Sequence, residues 1–108
     1  MLSGFFDLHF RLEELEHAGD PLIKINKIID WEIFRADLEN IHDKNRKSNA
    51  GRPAFDVVLM FKILILQALY NLSCESVEFQ IRDRLSFMRF LKLKLNDKVP
   101  DSRTIWHF

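Results

Sequence analysis

A chain of 108 residues that is 47% apolar, with ten Phe, has the material for one packed core. It can bury roughly 65% of its unfolded surface, which excludes an intrinsically disordered chain. The formal net charge is zero but uneven: residues 1–48 carry seven Lys/Arg against ten Asp/Glu, and residues 49–108 carry nine against six.

The cationic excess gathers over 82–98, with six basic residues and two acidic ones. Such a patch suits an anionic partner, and it equally suits a solvated face. Three Gly and three Pro favour long helices over many turns.

In chain order, Phe5, Leu8, Leu12 and Leu15 recur at helical spacing and predict a helix over about 5–18, with Gly19 as a left-handed stop. Asp20 caps the next helix and Pro21 suits its first position. Leu22, Ile25 and Ile29 form its apolar stripe. Asp30 caps a third helix of about 31–43, in which Trp31, Phe34, Leu38 and Ile41 repeat. The stretch "KNRKSNAGRP" has no apolar period and reads as an exposed loop over 44–54.

The central apolar helix follows at about 55–71. Its length is at the short edge of a membrane span, but Lys62 stands near its middle. A central Lys costs about 2.5–3.5 kcal/mol on membrane insertion. A helix buried on most sides, with the Lys62 stem stretching outward, is the better reading. No secretory signal opens the chain.

Ser73 caps a helix of about 74–84, with Val77, Ile81 and Leu85 on one face. Ser86 is the expected cap of a short helix through Leu91, with Phe87, Phe90 and Leu91 inward and Arg89 and Lys92 outward. "LKLKL" alternates and reads as extended, and "NDKVP" as a turn. Asp101 or Ser102 then caps a last helix with Ile105 and Phe108 on its apolar side. That helix is too short to be stable alone, an expectation that the natural chain continues. The fold class is all-α: five to six helices around the central apolar helix in a single domain, with a C-terminal unit like a helix-turn-helix.

The chemistry-bearing residues do not make an enzyme. His9, His17, His42 and His107 are scattered, and none pairs with Cys74 at a metal-ligand spacing. Cys74 has no His partner in the pattern to activate it. It is the sole cysteine, so an intrachain disulfide is excluded and a reducing compartment fits. No Gly-rich phosphate loop exists. No metal, cofactor, small-molecule substrate or membrane is called for.

Several segments together carry a family likeness: "FFDLHFRLEEL", "IDWEIFRADLE", "GRPAFDVVLMFKILILQALYNLS", "EFQIRDRLSFMRFLKL" and "VPDSRTIWHF". They resemble the InsH-type N-terminal domain of insertion-sequence transposases, from about Phe5 to Phe108. The resemblance implies a prokaryotic, nucleoid-associated protein of the cytoplasm that binds the terminal inverted repeats of a mobile element during DNA transposition. It implies that DNA cutting and joining belong to a downstream RNase H-like domain, where three carboxylates hold two divalent metals. That domain lies outside this sequence, so the chain reads as a truncated transposase, a split frame or an excised fragment. The family usually has Gly where Lys92 stands, so either Lys92 manages the same left-handed helix end with a Cβ or the chain runs on differently after Leu91. Cys74 stands where an acidic residue is common.

Under that reading, the helix opening at Asp101 is the recognition helix. Ser102, Arg103, Thr104 and His107 are then the residues not committed to its apolar side. Arg103 can pair with guanine, and Ser102 and Thr104 can reach phosphate or a base. Arg84, Arg89, Lys92 and Lys94 hold the DNA backbone. The alternative is a structural or dimerisation module of the transposase, contacting itself or the full-length protein through helices 5–43. A truncated remnant acting as a transposition inhibitor is a further form of it.

Overall fold

The computed structural model describes residues 2–44 and 55–108, with side chains over 7–41 and 55–108. Seven α-helices and one 3-10 turn make up the described residues, with no strand. They are α1 (Leu2–His17), α2 (Pro21–Ile28), a turn at Trp31–Phe34, α3 (Arg35–Lys44), α4 (Val57–Tyr70), α5 (Cys74–Asp83), α6 (Leu85–Leu91) and α7 (Ser102–His107). The all-α expectation holds. The polar loop expected over 44–54 lies, apart from Lys44 at the end of α3, outside the described residues.

Local chemistry sets the boundaries. Gly19 ends α1 at φ +87°, a conformation that costs a Cβ-bearing residue strain. Asp20 then caps α2, accepting from the Leu22 N–H at 2.9 Å, with Pro21 at the first position. Asp30 caps the 3-10 turn, accepting from the Glu32 N–H. The third helix therefore starts as a tighter turn and becomes α-helical only at Arg35. Asp56 caps α4 through the N–H groups of Val58 and Leu59, and left-handed Asn71 closes it. Ser73 caps α5 through the Ser76 N–H.

The junction between α5 and α6 corrects the expected Ser86 cap. One extended residue, Arg84, separates the two helices, and its carbonyl accepts from the Met88 N–H at 3.2 Å. Ser86 therefore lies inside the first turn of α6, which has no side-chain cap. After Leu91 the chain takes the left-handed turn at Lys92 itself, φ +60°. The Lys92 and Leu93 N–H groups fold back onto the carbonyls of Arg89 and Met88. "LKLKL" is consequently broken by this turn at its second residue rather than extended throughout. Asp97 closes a turn by accepting from the Lys94 N–H at 2.8 Å.

The core gathers Leu22 of α2, Trp31, Ile63 and Leu66 of α4, Val77 and Ile81 of α5, Phe87 and Phe90 of α6, and Ile105 of α7. Trp31 meets Phe90 and Phe61 edge-on, at centroid distances of 5.7 and 6.1 Å. Helix α4 is central but not wrapped on every side: Leu64, Leu69 and Tyr70 stand exposed. No single helix among the described residues is long and apolar enough to cross a membrane.

Lys62 departs most from expectation. Its side chain does not reach outward; it is 4% exposed, within the core. Its ammonium donates to the Phe90 carbonyl at 2.9 Å and to Asn26 Oδ1 at 3.2 Å. It also lies about 5 Å from the centroids of the Trp31 and Phe90 rings. Asn26 completes the knot, accepting from Trp31 Nε1 at 2.9 Å and donating to the Phe90 carbonyl at 3.2 Å. The open carbonyl near the end of α6, one of the groups a helix terminus leaves unpaired, thus draws the amine inward. Burial, aided by the nearby Lys92 charge and partly opposed by Glu32, pushes the Lys62 pKa down to about 8.

Candidate nucleic-acid interface

α7 is six residues long and owes its position to its surroundings rather than to its own helical propensity. Asp101 caps it through the Thr104 N–H at 2.8 Å, and that bond, with a second from the Thr104 side chain, holds the Asp101 carboxyl below its ordinary range. Ser102 N–H donates to Glu78 Oε1 of α5 at 2.6 Å. Buried Pro100 and Ile105 seat the helix in the core. Arg103, Trp106 and His107 are left facing water.

These three residues line one wall of a crevice of about 690 Å³, together with Ser102. The opposite wall is Gln67 of α4 with Ser73, Cys74 and Glu75 at the start of α5. Gln67 is braced by its amide, which donates to the Leu72 carbonyl at 3.3 Å. Arg103 makes no ion pair among the described residues. Trp106 is 76% exposed.

The remaining expected contacts do not share this wall. Lys94 is exposed on the turn after α6, and exposed Arg84 lies 5.4 Å from the Phe87 ring centroid. Lys92 stands exposed at a second crevice of about 530 Å³, beside Lys62, Trp31 and Arg35. There Arg35 is held by Glu32, at 2.6 Å, and by Asp56, which ties the 3-10 turn to the start of α4. The Arg35 guanidinium in turn keeps the carboxyls of Glu32 and Asp56 below their ordinary range.

Arg89 corrects the expectation that it faces out. Its guanidinium reaches back across the fold, donating to the Leu12 carbonyl of α1 at 2.9 Å and to Asp20 at 2.7 Å. Asp20 is 5% exposed at that contact, so Arg89 neutralises a nearly buried carboxylate. Thr104 is likewise engaged with its own cap. Of the eight expected contacts, Ser102, Arg103 and His107 come together in the crevice, Thr104 braces the helix behind them, and Arg84, Lys92 and Lys94 are exposed elsewhere.

Trp106 is the functional candidate that sequence reasoning missed. Its place between Ile105 and Phe108 reads as part of an apolar patch, but helical geometry turns it away from Ile105. No cluster of three or more His, Cys, Asp or Glu suited to a metal occurs among the described residues.

The family described as Transposase domain (DUF772) matches residues 10–108. The chain belongs to that family. The match runs from within α1 to the end of α7. Membership connects this transposase domain with DNA transposition and with DNA as its general partner. No solved structure matches it.

Proposed function

We propose that this transposase domain recognises the terminal inverted repeats of an insertion sequence and has no catalytic activity of its own. The observation that carries the reading is the presentation of α7. A helix too short to persist alone is fixed by Ile105 and Pro100 in the core, and it offers Arg103 and His107 to solvent. Arg103, without an ion pair among the described residues, is free to address phosphate or the guanine edge. Arg84, Lys92 and Lys94 supply further positive charge for the DNA backbone. The C-terminal unit then works as a helix-turn-helix-like reader with α7 as its recognition helix. Cutting and joining fall, on this reading, to a downstream RNase H-like domain.

Fluorescence anisotropy with the terminal repeat of its own element tests this. The repeat should bind more tightly than a shuffled duplex. Arg103→Ala should lose about 1–3 kcal/mol on the repeat and less on the shuffled sequence. Equal affinity for the two duplexes would end the recognition reading.

The exposed apolar side chains of the N-terminal half favour a second reading, a dimerisation module. Phe10, Ile28, Ile33 and Ile41 are each more than half exposed. A concentration-dependent dimer in sedimentation, lost on Ile28→Asp, with no shift of the terminal repeat in a gel, would favour that reading over the first.

A further inference from the structure

Duplex recognition through Arg103 gives no task to Trp106. This indole is the most exposed large hydrophobic side chain among the described residues, although Ile105 beside it is buried. Its surroundings are mixed, an apolar lining that carries several polar groups. The crevice it flanks has Arg103 and His107 on the same wall and Gln67, Ser73 and Glu75 across from them. At about 690 Å³ the space falls within the range of small-ligand sites.

A flat aromatic face, a free guanidinium and a carboxylate facing one space fit a ligand with three matching parts. It needs a π-face for the indole, an anion for Arg103 and an N–H edge for Glu75. A nucleotide has all three. An apolar peptide side chain would cover the indole but leave Glu75 and the Gln67 amide facing hydrocarbon. A base inside a duplex cannot serve, because its faces are covered by its neighbours.

We infer that the crevice between the first turn of α5 and α7 takes a single unpaired nucleobase, stacked on Trp106 with its phosphate on Arg103. This rests on the proposed DNA-binding reading and names the part of the substrate that this crevice receives. The Glu75 carboxylate accepts, so the base must donate: adenine, cytosine and guanine offer an exocyclic amino group, whereas the single donor of unpaired thymine, N3–H, is flanked by two carbonyl oxygens that a carboxylate repels. The domain therefore reads a DNA end that carries an unpaired base with an amino group, in addition to the repeat beside it.

The test uses a blunt terminal-repeat duplex and the same duplex with one unpaired 3′ or 5′ nucleotide. Binding is followed by anisotropy and by tryptophan emission, with buried Trp31 as the constant background. An unpaired cytosine should tighten binding about tenfold, as expected for one base on one aromatic platform, and quench the emission of Trp106. An unpaired thymine should give a smaller gain. Trp106→Ala should abolish the gain and leave blunt-duplex affinity in place, while Trp106→Phe should keep most of it. If the blunt duplex binds and the unpaired nucleotide adds nothing, or if its gain survives in Trp106→Ala, the crevice inference falls while duplex binding stands. If neither DNA binds, both fall.

Discussion

Replacing Lys62 by Met should stabilise the folded domain at pH 7, although it deletes two hydrogen bonds. A drop in the Lys62 pKa from 10.5 to about 8 corresponds to a charge held at a cost of about 3 kcal/mol relative to water. Neither acceptor is orphaned by the change. Asn26 Oδ1 keeps the Trp31 Nε1 donor, and the Phe90 carbonyl keeps Asn26 Nδ2. The lost amine bonds are worth about 0.5–1.5 kcal/mol each, and Met fills nearly the same volume. The net gain is about 1–2 kcal/mol, read from urea unfolding followed by circular dichroism.

The sign with pH follows from linkage. Between pH 8 and 10.5 the unfolded chain keeps its Lys62 proton and the folded chain does not, so wild-type stability rises with pH across that window. Below pH 8 both states are protonated and the full cost applies. The advantage of Lys62→Met should therefore be constant below about pH 7, cancel near about pH 9 and reverse by about pH 10. A variant destabilised by more than about 2 kcal/mol at pH 7, with a deficit that does not change toward pH 10, would refute this. It would mean that the Trp31 and Phe90 rings and the two oxygens outweigh desolvation.

Other outcomes follow from the same contacts. Arg89→Ala should cost about 2–4 kcal/mol, because it strands the nearly buried Asp20 carboxylate and frees the Leu12 carbonyl; differential scanning calorimetry would show a fall in Tm of ten degrees or more. Its affinity for a non-specific duplex, measured below that Tm, should match wild type. A selective loss of affinity would return Arg89 to the DNA surface. Lys92→Gly should gain up to about 1 kcal/mol in chemical denaturation, since glycine takes the left-handed turn at φ +60° without a Cβ. It also relieves Lys62 of a like charge, so the rise of stability with pH should shift upward.

How much of this was legible in the sequence varies with the kind of interaction. Caps at Asp20, Asp30, Ser73 and Asp101 are local, involving residues two or three apart, and they could be read directly. The stripe of Val77 and Ile81 follows from spacing, and the turn at Lys92 was suggested only by the glycine usual there in the family it resembles. Lys62 and Arg89 could not be read in this way. Each looks like a solvated cation because its partners lie 28 to 77 residues away, at Asn26, Phe90, Leu12 and Asp20. A lone Asn in the stripe of α2 was the only local sign of the Lys62 knot. The Ser86 cap failed because Arg84 alone separates two helices, so the backbone breaks two residues earlier than the serine suggests. Trp106 was hidden by composition, since an aromatic between Ile105 and Phe108 reads as core until the helix phase is applied.

The most direct test of the central claim, that exposed cations of the C-terminal half hold DNA, is the affinity for duplex as a function of salt. Arg84, Lys92, Lys94 and Arg103 are exposed and make no ion pair among the described residues. If all four neutralise phosphates, log K should fall with log salt at a slope of about −3.6, reduced by about 0.9 in Arg103→Ala. A slope near zero, or one that Arg103→Ala leaves unchanged, would contradict the account.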